Sequence, residues 1–99
     1  MAADDRPLLV FFTSRRSGPA RRMESLLAHI ARKERARLRV TKVDVEEHAT
    51  LAQRFKVEEA PTLVLVCGKR VVARLEGRAT APRIERMLAP HLPEEVLAV

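Results

Sequence analysis

The stretch PLLVFFTSRRSGPARRM, residues 7 to 23, does most to limit what this chain can become. Leu8 to Phe12 form a continuous apolar run, bounded by Pro7 and by Thr13-Ser14, and such a run suits a strand buried on both faces of a sheet. After four intervening residues Ser17 offers a helix N-cap, with Pro19 in the first turn, where its missing N–H costs nothing. Met23, Leu26, Leu27 and Ile30 then follow at i, i+3, i+4 and i+7, which predicts an amphipathic helix to about Arg35. A strand hidden on both sides that runs straight into such a helix calls for a sheet with helices packed on it.

The rest of the chain continues the pattern. RLRVTKVDV, residues 37 to 45, spaces Leu38, Val40, Val43 and Val45 in strand fashion around Thr41 and ends in the acidic segment Asp44 to Glu47. A second helix is expected over about 47 to 55, with Leu51, Ala52 and Phe55 on one side. After KVEEAP, TLVLV reads as a strand, CGKR as a tight turn and VVARLE as a strand paired back in a hairpin. Gly77 ends that strand. Thr80 caps a last helix with Pro82 in its first turn and Ile84, Met87, Leu88 and His91 or Leu92 turned inward. The order β-α-β-α-β-β-α makes the first two strands parallel through a right-handed crossover and adds an antiparallel hairpin. The expected class is α/β, a four-stranded mixed sheet with helices on both faces. Residues 1 to 99 make one domain, with frayed ends at 1–6 and 93–99.

Composition narrows the chemistry. A single cysteine, Cys67, excludes both an intramolecular disulfide and a dithiol centre. It falls in the expected hairpin turn, where an inert residue is the plainer reading. His29, His48 and His91 are scattered without ligand spacing, so neither a metal nor another cofactor is expected. The longest apolar runs are too short to span a bilayer, and the N-terminus lacks a basic region followed by an apolar one, so a cytoplasmic home is the default expectation.

The formal charge of +6 is carried by 15 Arg and 4 Lys. Residues 15 to 42 hold ten basic and two acidic side chains, a local balance of +8. Such a cluster suits phosphates, nucleic acid or an acidic protein face. Base recognition usually adds aromatic platforms, and this chain has no Trp or Tyr and three Phe. A solvated Arg-rich helix face is therefore the simpler expectation, with a nucleic-acid or polyanion module as an alternative.

These pieces in this order resemble the thioredoxin family. LLVFFTSRRSGPARRM is similar to that family's strand, tight loop and helix bearing W-C-G-P-C. KVDVEEHATLAQRFKVEEAPTLVLV is similar to its second strand, second helix and cis-proline loop, and EGRATAPRIERML to its closing glycine and helix. The resemblance covers about residues 8 to 92 and lacks the family's additional N-terminal strand and helix.

The same resemblance puts Ser17 at the position of the nucleophilic cysteine and Ala20 at that of the resolving cysteine, with Gly18 and Pro19 retained between them. Exchange needs a thiolate, which a helix N-terminus makes available by lowering a cysteine pKa, from ~8.5 to ~7 in thioredoxin itself. A serine hydroxyl stays protonated in that field, and alanine has no sulfur to resolve a mixed disulfide. Arg16 stands in for the family's tryptophan and Phe11 for its buried acid. Four such departures together imply natural loss of the redox function and no enzymatic activity of that kind.

What the resemblance leaves is a surface. Ala60, Pro61 and Thr62 match the cis-proline loop whose backbone pairs with an extended peptide in the family, with Arg16 beside it, so a protein or peptide partner is expected. Arg15, Arg21 and Arg22 crowd the start of the first helix and are candidates for binding an anion. Ser17 reads as an N-cap. A second expectation for it, from glutathione-using relatives of the fold, is a hydroxyl that donates to a bound thiolate or phosphate, as a thiol-cofactor enzyme would need. The chain is expected to be a monomer or a weak dimer.

Overall fold

The structure of the chain, a computed structural model, describes residues 4–94. β1 (Leu8–Thr13) is the strand the apolar run requires, and it lies inside a four-stranded sheet of order β2-β1-β3-β4. β2 (Arg39–Asp44) runs parallel to it, reached through α1 (Gly18–Lys33). β3 (Thr62–Cys67) lies antiparallel on its other side, after α2 (Ala49–Arg54), and β4 (Arg70–Glu76) closes the hairpin. α3 (Ala81–Leu88) follows and runs on into a 3-10 turn at Ala89–His91. The α/β fold expected from the order of elements is the fold observed.

Alternation along the inner strands sorts the core into two layers. Leu9, Phe11, Leu63 and Leu65 pack with Met23, Leu27 and Ile30 of α1 and with Ile84 and Leu88 of α3. Val10, Phe12 and Val64 face the other way and pack with Val43 and Ala52. Phe55 joins that second layer, its ring 5.6 Å from that of Phe12 and tilted 52° to it. The spacing of the valines around Thr41 follows from this sorting. Val40 packs in the α1 and α3 layer and Val43 in the α2 layer, so each face of β2 contributes its own valine.

Both long helices start as their caps dictate. The Ala20 amide donates to Ser17 Oγ (3.1 Å) and the Arg83 amide to Thr80 Oγ1 (3.4 Å), each with a proline in the first turn. α2 begins two residues later than expected because Asp44 intervenes. Its Oδ1 accepts from the amides of Glu46 (2.8 Å) and Glu47 (3.2 Å), which holds the acidic segment in a turn outside the helix. At its other end Lys56 takes φ 56°, with Val57 N donating to Ala52 O and Lys56 N to Gln53 O, a Schellman closure without glycine.

Cys67 and Arg70, both expected in the turn of this hairpin, belong to its strands instead. Cys67 is the last residue of β3, half-buried and paired with Arg70, and the turn proper is Gly68-Lys69, with φ +63° at the glycine. Within the expected frayed ends, Asp4 to Arg6 are held. Arg6 hydrogen-bonds to Asp4 and donates to Arg35 O, and Arg39 donates to Arg6 O. Those bonds from Arg6 lower the Asp4 carboxyl to about 2. At the other end Pro93 O accepts from Arg37 (3.3 Å), and of His91 and Leu92 it is Leu92 that packs on the core. Residues 1–3 and 95–99 lie outside the described residues.

Candidate functional site

The loop after β1 and the loop before β3 meet at Ser17. Its hydroxyl donates to the carbonyl oxygen of Ala60 at 3.1 Å while accepting from the Ala20 amide. A carbonyl cannot donate and an amide N–H cannot accept, so both roles of the hydroxyl are fixed. Its single hydrogen goes to Ala60. Ser17 is thus the N-cap that its sequence suggests, and the proton that the second expectation would aim at a thiolate or phosphate is committed within the protein.

The Ala60-Pro61 peptide bond is cis. Pro61 O accepts from Gly77 N at 2.8 Å, and Gly77 takes φ +80°, a conformation that glycine reaches without a Cβ penalty. This bond fastens the segment before α3 to the proline loop. Thr62, expected to touch a peptide, is 1% exposed, and its Oγ1 donates to Glu59 O at 2.8 Å. Pro61 is buried as well. Both shape the loop from within, because entering the sheet turns Thr62 into the core. Ala60 is half-exposed and Arg16 exposed, so these two, with Gly18, remain at the surface. Among the described residues the Ala60 N–H has no hydrogen-bond partner.

Ser14 pins the loop and was not singled out by the sequence. It is 7% exposed, donates to Glu46 at 2.7 Å and accepts from the Arg16 amide at 3.1 Å, while its carbonyl accepts from Ser17 N. Arg15 turns the same way. It pairs with Glu47 and reaches Asp44 at 3.8 Å, so this expected anion-binding side chain is neutralised by the acidic segment before α2. Arg21 and Arg22 are exposed and, among the described residues, form no ion pair. The Arg22 guanidinium lies over Gly18, where an added Cβ would come within 3.2 Å of its Nη1.

No thiol stands near this meeting point. Cys67 occupies the far end of β3 from Thr62, five residues or about 17 Å along the strand. His29 and His48 are exposed, His91 is half-buried, and among the described residues no group of His, Cys, Asp or Glu is arranged to hold a metal. Nor is any helix among them long and apolar enough to cross a membrane.

A mixed sheet of order β2-β1-β3-β4, with a cis-proline loop facing the capped start of the first helix, defines a protein of the thioredoxin fold. The thioredoxin family model matches residues 1–90. Thioredoxin-1 of Drosophila yakuba is 34% identical over 88 residues, covering 89% of this chain and 81% of its own length. The thioredoxin of Alicyclobacillus acidocaldarius is 33% identical over 88 residues, with 89% and 84% covered. The crystal structure of thioredoxin NaTrxh from Nicotiana alata matches with TM-score 0.84 at 27% identity, over 90% of this chain and 76% of that one. That of the germline-specific Deadhead (Thioredoxin-1) of Drosophila melanogaster matches with TM-score 0.83 at 32% identity, over 89% and 83%. The chain belongs to the thioredoxin family.

Proposed function

We propose that this chain is a redox-inactive member of its family that holds a protein or an extended peptide at the surface formed by Ser17, Gly18, Arg16 and Ala60. The hydrogen bond from Ser17 Oγ to Ala60 O carries the reading. Where exchange chemistry needs a thiolate free to attack a disulfide, this hydroxyl is protonated and tied to the opposite loop. The bond also holds that loop in place. A half-exposed Ala60, whose N–H has no partner among the described residues, then presents backbone to a strand-like ligand, which binds by main-chain pairing.

The alternative of a nucleic-acid module draws less support from the charge pattern. Of the ten basic side chains between 15 and 42, five form ion pairs among the described residues: Arg15 with Asp44 and Glu47, Lys33 with Glu85, Arg37 with Glu34, Arg39 with Asp4 and Lys42 with Glu24. These divide the basic stretch that the sequence presents as continuous. Ser17 as the orienting group of a thiol-cofactor enzyme is disfavoured by its committed proton. A cytoplasmic setting accompanies the proposal.

The test is a nuclease-treated pull-down from the source cell, with wild type beside Ala60→Arg, whose fold is checked by circular dichroism. The expected result is a protein captured by wild type and lost by the folded variant. Equal capture by both would move the function away from this surface.

A further inference from the structure

A groove of about 550 Å³ opens beside this site, between the start of α1 and the start of α3. Pro19, Met23, Leu26 and Ala79 give it an apolar floor, and Arg22, Arg78 and Arg83 its cationic rim. All three arginines are exposed, and among the described residues none of them forms an ion pair. Among the described residues no carboxylate lines it. Other grooves differ in this respect. Glu34 and Glu85 lie in the one between α1 and α3 further along, and Asp44, Glu46 and Glu47 in the cleft beside Arg15 and Arg16. The loop at Ser17 therefore has a carboxylate-bearing cleft on its Arg15 side and a carboxylate-free groove on its Pro19 side.

We infer that this groove takes an acidic, partly apolar segment of the peptide partner, its carboxylates on the three arginines and its apolar side chains on the floor. The inference rests on the proposed reading of the Ala60 surface and names the chemistry of the partner there. Continuity supports it, since Arg78 follows Gly77, whose amide is bonded to Pro61 O. Charge complementarity supports it further. Arg22 lies in the early part of α1 and Arg78 and Arg83 flank the start of α3, where each helix dipole favours negative rather than positive charge. A bound carboxylate relieves both conflicts. A peptide fits better than a nucleic-acid strand because no aromatic side chain lines the groove for base stacking, Phe11 and Phe12 being buried in the core and Phe55 packed in the α2 layer.

The experiment measures fluorescence anisotropy with three labelled probes: an extended peptide mixing Glu with Leu and Val, the same peptide with Gln for Glu, and a single-stranded oligonucleotide of equal charge. Wild type is compared with Ala60→Arg and with the triple variant Arg22→Gln, Arg78→Gln, Arg83→Gln, whose positions are all at the surface and leave the fold intact. The acidic peptide is expected to bind wild type best and the triple variant roughly tenfold more weakly, with the difference shrinking at high salt. Equal binding of the acidic and Gln peptides overturns the inference. So does tighter binding of the oligonucleotide, or an acidic peptide that loses affinity in Ala60→Arg alone, the last leaving the Ala60 surface standing. Loss in the triple variant with none in Ala60→Arg upholds the groove and sinks the Ala60 reading.

Discussion

Ser17→Cys combined with Ala20→Cys is expected to give this chain a disulfide-reducing activity above that of wild type. The new thiol at 17 would sit at the N-cap of a 16-residue helix, within reach of the Ala20 amide that Ser17 Oγ accepts from, and Arg16, Arg21 and Arg22 lie about that turn. Backbone amides and positive charge both favour a thiolate. A fall in pKa from ~8.5 to ~7 raises the thiolate fraction at neutral pH roughly fifteenfold. The second thiol one helical turn on then releases the reduced substrate, a step Ser17→Cys alone cannot complete. Insulin precipitation at fixed reductant and the pH dependence of thiol alkylation check this. Catalytic reduction by the double variant, with a single stoichiometric adduct for Ser17→Cys, would show that sulfur is what the site lacks. A folded double variant that does no better than wild type would show that Arg16 and Phe11 also bar the chemistry.

Phe11→Ala is expected to cost about 3–5 kcal/mol of stability, a large share of the ~5–15 kcal/mol that holds a domain of this kind together. Phe11 is 1% exposed on the central strand β1, among Leu9, Leu63, Leu65 and the apolar stripes of α1 and α3. Truncation leaves a cavity that two helices and a sheet cannot collapse to fill. Phe11→Asp is expected to be worse. The surrounding cluster consists of apolar side chains, so a carboxyl there meets no donor. Position 11, at which the resemblance expects a buried acid, is a packing position in this chain. Urea titration gives the number, with Val71→Ala as the control. Val71 is 51% exposed on β4, so its loss should stay within about 0.5 kcal/mol. A Phe11→Ala cost no larger than that would mean the centre of the sheet is not packed as described.

The order of elements was legible because each rests on a local pattern. The apolar run at Leu8 to Phe12, the i, i+3, i+4, i+7 stripe after Ser17 and the two Ser/Thr-to-Pro helix starts act over a few residues and are read directly. The Gly68 turn is of the same kind, whereas the cis-proline loop could be named only from the resemblance. The site was legible only in outline. Ser17 and Ala60 could be named from the resemblance, yet the hydrogen bond that joins them spans 43 positions and has no local signature. Ser14 to Glu46 spans 32, and neither side chain had a pattern to mark it. Charge was the least legible property. A count over residues 15 to 42 sees ten basic side chains, but the partners of Arg15, Lys33 and Arg39 lie outside that segment, at Asp44 and Glu47, at Glu85 and at Asp4. Of the three arginines around the α1 and α3 groove, which form no ion pair among the described residues, Arg22 lies more than fifty positions from Arg78 and Arg83, so only the fold gathers them.

If this chain binds at the Ser17 and Ala60 surface without exchange chemistry, as proposed, it should leave disulfides intact. The quantity to follow is the rate at which the wild-type chain reduces insulin disulfides, at fixed reductant over a range of protein concentrations, beside a control without protein. The traces are expected to coincide at every concentration, because Cys67 is the only sulfhydryl and lies at the far end of β3 from the Ser17 loop. A rate that rises in proportion to added protein would contradict the proposed loss of redox function and return the chain to the disulfide reductases.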